Sequence, residues 1–302
     1  MASMNRLSRE KRRQVIASLV EGNSIRSTVR MTGVAKDTVT KLLTDLGVVC
    51  SVYQDRAMRD LPCKRLQVDE VWSFVGAKQK NATLAKQAEG WGDVWTWVAL
   101  DADTKLVPTF RVGARDVQEA RAFMQDVAGR VSGRVQLTTD GHQPYLVAVR
   151  EAFGADVDYA MLVKLYGNSS DPKSPARRYS PGVCTASVPT RVSGNPDPEH
   201  ISTSYVERQN LTMRMSMRRF TRLTNAFSKK AENLAAAVSV YFMHYNFVRV
   251  HQTLGTTPAV AAGVADHVWT LDEMVALLET AETAMPVKRG PYKKRSQSAD
   301  SN

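Results

Sequence analysis

The stretch Leu66-Gln-Val-Asp-Glu-Val-Trp-Ser-Phe-Val75 decides how this chain is read. Its apolar run, rich in β-branched and aromatic residues, marks a buried strand. Asp69 stands in the middle of it. A charge there is expensive unless it is paired or bound to a metal, and nothing about a strand interior asks for Asp. Asp140 ends a second expected strand, Val135-Gln-Leu-Thr-Thr-Asp140, and Gly141 turns the chain at once. Glu207 lies in the first turn of a basic helix that opens Ser204-Tyr-Val-Glu-Arg-Gln-Asn210. Hard divalent cations such as Mg²⁺ take oxygen ligands. Two of them about 3.5–4 Å apart activate a nucleophile and stabilise a leaving oxygen at phosphorus. Asp69, Asp140 and Glu207 are therefore the candidate catalytic and metal-ligating residues. Taken singly, Asp140 before Gly141 is an ordinary turn residue, and Ser204 with Glu207 fits a capping box. Only the three together, each on its own element, argue for a site.

The bulk properties narrow the partner. At 302 residues the chain has room for one large domain and a small one. A net charge of +11 and a pI near 9.7 favour a polyanion, most simply nucleic acid, over a membrane. The longest nearly apolar stretch, Leu234 to Met243, is about half of what a bilayer requires. No apolar segment follows the basic N-terminus, so no secretory signal is expected. Cys50, Cys63 and Cys184 are odd in number and never form a Cys-x-x-Cys pair. They support neither a disulfide framework nor a zinc finger, and read as packing residues in a reducing cytoplasm.

Residues 1–65 hold thirteen Lys/Arg against six Asp/Glu. Their pattern gives three short helices, Ser8 to Glu21, Ile25 to Met31 and Lys36 to Leu46, punctuated by Gly22-Asn23, Thr32-Gly33 and Gly47. Two such helices across a glycine turn make a helix-turn-helix, expected here as a small all-α domain over residues 1–48. Its second helix would present Lys36, Asp37, Thr38, Thr40 and Lys41 to a major groove. The alternative is a three-helix bundle with a solvated basic face.

Residues 49–64 read as a linker, and residues 65–285 as the main domain. Strands are expected at Leu66–Val75, Val94–Leu100 and Leu106–Val112, then a helix Val117–Val131, the Asp140 strand, a helix Tyr145–Phe153 and a strand Val157–Leu165. That order describes an α/β mixed sheet flanked by helices. Asp101 and Asp103 belong to a hairpin turn. Six of the twelve prolines fall between Pro172 and Pro198, with Arg177, Arg178 and Arg191 among them, so residues 167–204 read as an irregular insertion: a DNA-contacting flap or a loose excursion. A helix from Tyr205 to Arg222 places Glu207, Arg214 and Arg218 on one line, beside which Arg208 and Arg222 add charge for a DNA backbone. A solvated basic face is the alternative. A helix Lys229–Phe247 stacks Leu234, Val238, Tyr241, Phe242 and Tyr245 as core, and Thr270-Leu-Asp-Glu273 caps a last helix. The tail, residues 286–302, is basic and expected to be disordered.

Four segments carry a family resemblance: Val68-Asp-Glu-Val-Trp72, Thr139-Asp-Gly-His142, Ser204-Tyr-Val-Glu-Arg-Gln-Asn210, and Tyr245-Asn-Phe-Val-Arg-Val-His251 followed by Thr257-Pro258. Over roughly residues 65–262 the chain resembles the DDE transposases of bacterial insertion sequences, nearest to the insertion-sequence-one family. The resemblance implies an RNase H-like fold and strand transfer with two Mg²⁺ (or Mn²⁺) ions, the acidic roles falling on Asp69, Asp140 and Glu207. It also implies double-stranded DNA as partner, both element ends and target, a homo-oligomer in the synaptic complex, and a bacterial, nucleoid-associated protein. His142 would touch the reacting phosphate or simply end the strand. His251 and Arg249 would brace the C-terminal helix. One departure is the absence of the zinc finger that members of the family often carry at the N-terminus. An integrase or resolvase of the same fold, and a non-catalytic helix-turn-helix regulator, stay open beside transposase.

Overall fold

The computed structural model describes residues 6–167, 184–221 and 225–284. Six strands form one mixed sheet: β1 (Arg65–Val75), β2 (Gly92–Asp101), β3 (Thr109–Gly113), β4 (Val135–Thr139), β5 (Val157–Tyr166) and β6 (Cys184–Ser193), in the order β3-β2-β1-β4-β5-β6. The first three form an antiparallel meander, with β1 paired to β2 from Leu66↔Asp101 to Val75↔Gly92. β4 joins β1 in parallel and β5 joins β4 in parallel. Helices cover both faces, an arrangement compatible with the RNase H-like fold that the resemblance implies.

On one face lie α5 (Val117–Ala128) and α6 (Pro144–Phe153). Trp97 of β2, buried, packs there on Phe123 of α5 and edge-on against Tyr145 of α6. On the other lie α7 (Ser204–Ser216) and α8 (Ala231–Met243), with Phe110 of β3 stacked on Phe242 of α8. Past α8 the backbone makes a π-helical turn, His244–Val248, whose Asn246 amide bonds the Val107 N–H and C=O at 3.0 Å each. The expected core residues Leu234, Val238, Tyr241, Phe242 and Tyr245 are all buried. α10 (Leu271–Ala284) starts at the expected capping box: the Thr270 N–H donates to Glu273 at 2.7 Å, and the Glu273 N–H donates to Thr270 Oγ1 at 3.3 Å. Two short helices, α4 (Leu84–Ala88) and α9 (Pro258–Ala261), lie in connections.

Three expectations are corrected. The helix α3 does not stop at Gly47; it runs Lys36–Ala57 and absorbs most of the expected linker. Gly47 sits inside it because α8 crosses there: a Cβ on Gly47 would lie 2.5 Å from Ala236 Cβ. Glycine is used for close approach, and tertiary packing overrides its helix-breaking tendency. Ser239 Oγ donates to the Gly47 carbonyl at 2.8 Å, and Gln54 Nε2 donates to the Ser239 carbonyl at 3.2 Å, so one side of the supposed linker, with Cys50, Gln54 and Met58, is buried in the core. α1 (Arg9–Val20) is likewise tied to α10 through the buried Arg12, whose guanidinium meets Glu282 at 3.1 Å. The three N-terminal helices exist, with α2 (Ile25–Thr32) ended by left-handed Gly33, but they are built into the main body.

Second, the 167–204 segment is not wholly irregular. β6 extends the sheet antiparallel to β5, with Pro189 opposite Leu162 on the outermost strand, where proline costs no ladder bond. Residues 168–183 lie outside the described residues. Third, the Glu207 helix ends at Ser216. Met217 turns extended (φ −125°, ψ 107°) so that it and Phe220 are buried, and Arg218–Phe220 form a separate 3-10 turn. Arg218 therefore does not continue the line of Glu207 and Arg214. Arg222 and the 286–302 tail lie outside the described residues.

Candidate metal and nucleic-acid site

β4 ends at Thr139, opposite Val68 of β1, while β1 runs on to Val75. Past that point β1 has a free flank, at the C-terminal end of the parallel strands where open α/β sheets place their ligands. Asp69 and Glu70 occupy the first two positions there, and Asp140 is the first residue past β4. Carboxylate oxygens of Asp69, Glu70 and Asp140 all lie within 4.8 Å of one another.

Each is held by a different layer. Asp69 accepts from Asn210 Nδ2 of α7 at 2.8 Å. The start of α7 is itself fixed to β1, because Gln67 Oε1 accepts from the Tyr205 and Val206 N–H groups at 2.8 and 3.1 Å. That side chain from the sheet supplies the helix cap, so Ser204 and Glu207 form no capping box. Glu70 points to the opposite face, and its side chain is 1% exposed. Arg115, in the turn before α5, reaches Glu70 at 3.4 Å and Asp140 at 3.5 Å. Asp140 Oδ1 also accepts from the His142 N–H at 2.9 Å, a tight turn that sets the carboxylate at the strand end.

The electrostatics are those of a crowded acidic site that Arg115 only partly offsets. Burial, helped by the neighbouring carboxylates, pushes Asp69 up to about 6. Burial and the Asp140 charge push Glu70 up to about 7. The buried Glu70 Oε1 has the Tyr145 hydroxyl beside it, outside good hydrogen-bond geometry, while Asn210 Oδ1 and His142 Nε2 are buried with no hydrogen-bond partner. Three carboxylates, each with an oxygen within 4.8 Å of the others, fit the oxygen donor set of a hard divalent cation.

Glu207 lines the same cleft, of about 1080 Å³, but its carboxylate is outside the three-carboxylate cluster. Both its oxygens are ion-paired with Lys164 of β5, and Thr203 Oγ1 donates to it at 2.6 Å. Arg214 lines the cleft as well. Arg208 and Arg218 are exposed and outside it. His142 packs its ring against Trp97 and Tyr145, and burial lowers its pKa, with the Arg115 charge adding to that. In the N-terminal helices, Lys36, Thr38 and Lys41 are exposed while Thr40 is half-buried. Lys41 pairs with Asp45 at 2.5 Å.

Reading the sequence missed Glu70, Lys164 and Arg115. Glu70 adjoins Asp69, and strict strand alternation sends neighbours to opposite faces, so spacing alone gives no reason to pair them. The two meet only because β4 stops short. Lys164 lies within an apolar strand, the same anomaly that singled out Asp69.

No protein-family model matches the sequence, and no curated protein does. The cryo-EM structure of a piggyBac transposase synaptic complex with hairpin DNA is similar over 95% of this chain and 76% of that one, at 10% identity and a TM-score of 0.37. At that depth the two share too little superposable backbone to argue fold or function from the likeness.

Proposed function

We propose that the chain is a metal-dependent DNA strand transferase of the transposase kind, cutting and joining DNA at element ends. The observation that carries this reading is the convergence of the Asp69, Glu70 and Asp140 carboxylates within 4.8 Å, in an open cleft of a strongly basic protein.

Asp69, Glu70 and Asp140 would hold the first cation, with Asn210 orienting Asp69 and the His142 N–H orienting Asp140. A second cation would draw on Glu207, whose carboxylate is ion-paired with Lys164. A divalent ion so bound supplies Lewis-acid activation of the attacking oxygen and neutralises charge developing on the phosphate. The protein's own part is to place that phosphate. Arg115, Lys164 and Arg214 ring the cleft with positive charge, and Arg115 offers a planar guanidinium suited to phosphate oxygens. Lys36, Thr38 and Lys41 on α3 would contact duplex DNA at element ends.

A labelled duplex incubated with Mg²⁺ tests the reading. Wild type should nick it, and Asp69→Asn should bind it at least as tightly while leaving it intact. Cleavage by Asp69→Asn near the wild-type rate would remove this carboxylate from the chemistry, and the mechanism with it.

A further inference from the structure

Beyond Glu70 the same sheet face carries Trp72 and Phe74, at the i+2 and i+4 positions of β1. Trp72 is directly opposite Trp95 of β2, and Glu70 directly opposite Trp97. Trp97 is buried under α5 and α6, but that helical cover runs out one step along, and Trp72 and Trp95 are both part exposed. Each indole has a cation over it. Lys78 Nζ lies 5.4 Å from the Trp72 ring centre, and the Arg115 guanidinium lies 4.9 Å from that of Trp95. Phe74 continues the strip and packs on Phe227 at 5.0 Å. The loop that delivers Lys78 is fixed: Gly76, at φ +71°, lets Trp91 pack where a Cβ would sit 2.1 Å from the ring, and its N–H donates to the Ser228 carbonyl at 2.8 Å.

We propose that Trp72 and Trp95, with Lys78 and Arg115, form a stacking platform for unpaired nucleobases of a single-stranded DNA flank leaving the carboxylate site. Aromatic faces interleaved with backbone-neutralising cations are what single strands bind, whatever their sequence. Arg115 couples the platform to the chemistry, because the guanidinium that lies on Trp95 also reaches Glu70 and Asp140. Along β1, Trp72 is about 7 Å past Glu70. A strand whose phosphate rests at the carboxylates would bring its next bases to the indoles, Lys78 and Arg115 moving from the ring faces onto the strand's phosphates. The assignment rests on the DNA reading above for its ligand, but it makes a separate demand, for unpaired bases.

Fluorescence anisotropy without divalent cation tests it, comparing a blunt duplex with the same duplex bearing a short 3′ oligo-dT tail. The tail should tighten Kd by about tenfold or more for wild type. Trp72→Leu and Trp95→Leu should lose that gain while binding the blunt duplex as before, and Trp72→Phe should keep most of it. Equal wild-type affinity for tailed and blunt DNA overturns the platform, a comparison that needs no variant to fold. So does a full tail gain in both Leu variants. A tail gain in a protein that never cuts DNA with Mg²⁺ upholds the platform and sinks strand transfer instead.

Discussion

Glu70→Gln should stabilise the protein in the absence of metal and abolish its stabilisation by Mg²⁺. Burial and the Asp140 charge raise Glu70 from 4.5 to about 7, and its side chain is almost wholly screened from solvent. At about 1.4 kcal/mol per pKa unit, ionised Glu70 costs about 3 kcal/mol of folding stability at pH 8. Gln keeps the volume and removes the charge. Allowing for an imperfectly bonded amide, the gain should be about 1–3 kcal/mol, or several degrees in Tm for a chain of this size. The pH dependence has a definite sign. The folded-state pKa lies above the unfolded one, so between about 4.5 and 7 the folded protein binds more protons. Wild-type stability should fall as pH rises through that window, and the advantage of Glu70→Gln should vanish near pH 4.5. Added Mg²⁺ should raise the wild-type Tm with concentration and leave the variant flat. Thermal unfolding at pH 8 and 4.5, with and without Mg²⁺, reads all of this. A Glu70→Gln protein that melts lower than wild type at pH 8 without metal, or keeps the full Mg²⁺ shift, would refute the assignment of Glu70 as a ligand whose buried charge costs stability.

Lys164→Met should free Glu207 and raise Mn²⁺ affinity or stoichiometry by titration calorimetry; an unchanged isotherm would show that the ammonium does not compete with a cation. Gly47→Leu should cost about 3 kcal/mol or more in urea unfolding, because its Cβ would lie 2.5 Å from Ala236; a near-neutral result would mean that α3 and α8 separate readily. Lys36→Ala and Lys41→Ala should each weaken duplex binding and lower its salt slope by about one, whereas unaltered slopes would move recognition away from α3. Deleting residues 1–48 should lower Tm sharply, since α3 packs in the common core; a truncated protein of wild-type stability would contradict that packing.

The sheet was legible where one physical rule dominated. β1, β2, β4 and β5 announced themselves by apolar runs bounded by turn residues, α5 by the apolar face of Ala120, Phe123, Met124 and Val127, all buried, and α10 by its cap, where Thr270 with Glu273 forms its box. The misses share a cause, a local signal outvoted by a distant partner. Gly47 looks like a helix stop until Ala236 is laid against it. The helix end at Ser216 has no Gly or Pro to mark it, and is set by the burial of Met217 and Phe220. β6 has no alternation to read because nearly all of it is exposed, and only its pairing with β5 makes it a strand. Asp69 was found because it breaks the rule of its strand, and Asp140, an ordinary turn residue by itself, only in company with Asp69 and Glu207. Glu207 also reaches the expected cleft, yet its ion pair with Lys164, 43 positions away, was beyond any spacing argument.

The adjacency of Asp69 and Glu70 shows how a sheet concentrates charge. Alternation puts Asp69 toward α7 and Glu70 toward α6, so within a continuous sheet they could never share a ligand. The pairing of β1 with β4 ends at Val68↔Thr139, one residue before Asp69. From there both faces of β1 open onto the same space, into which Asp140 projects as the chain leaves β4. Two consecutive acids on a central strand are thus tolerable at one place only, the step past a shorter parallel neighbour. Moving the pair two residues earlier, to Gln67 and Val68, would place a carboxylate under each helical layer with no common cation within reach.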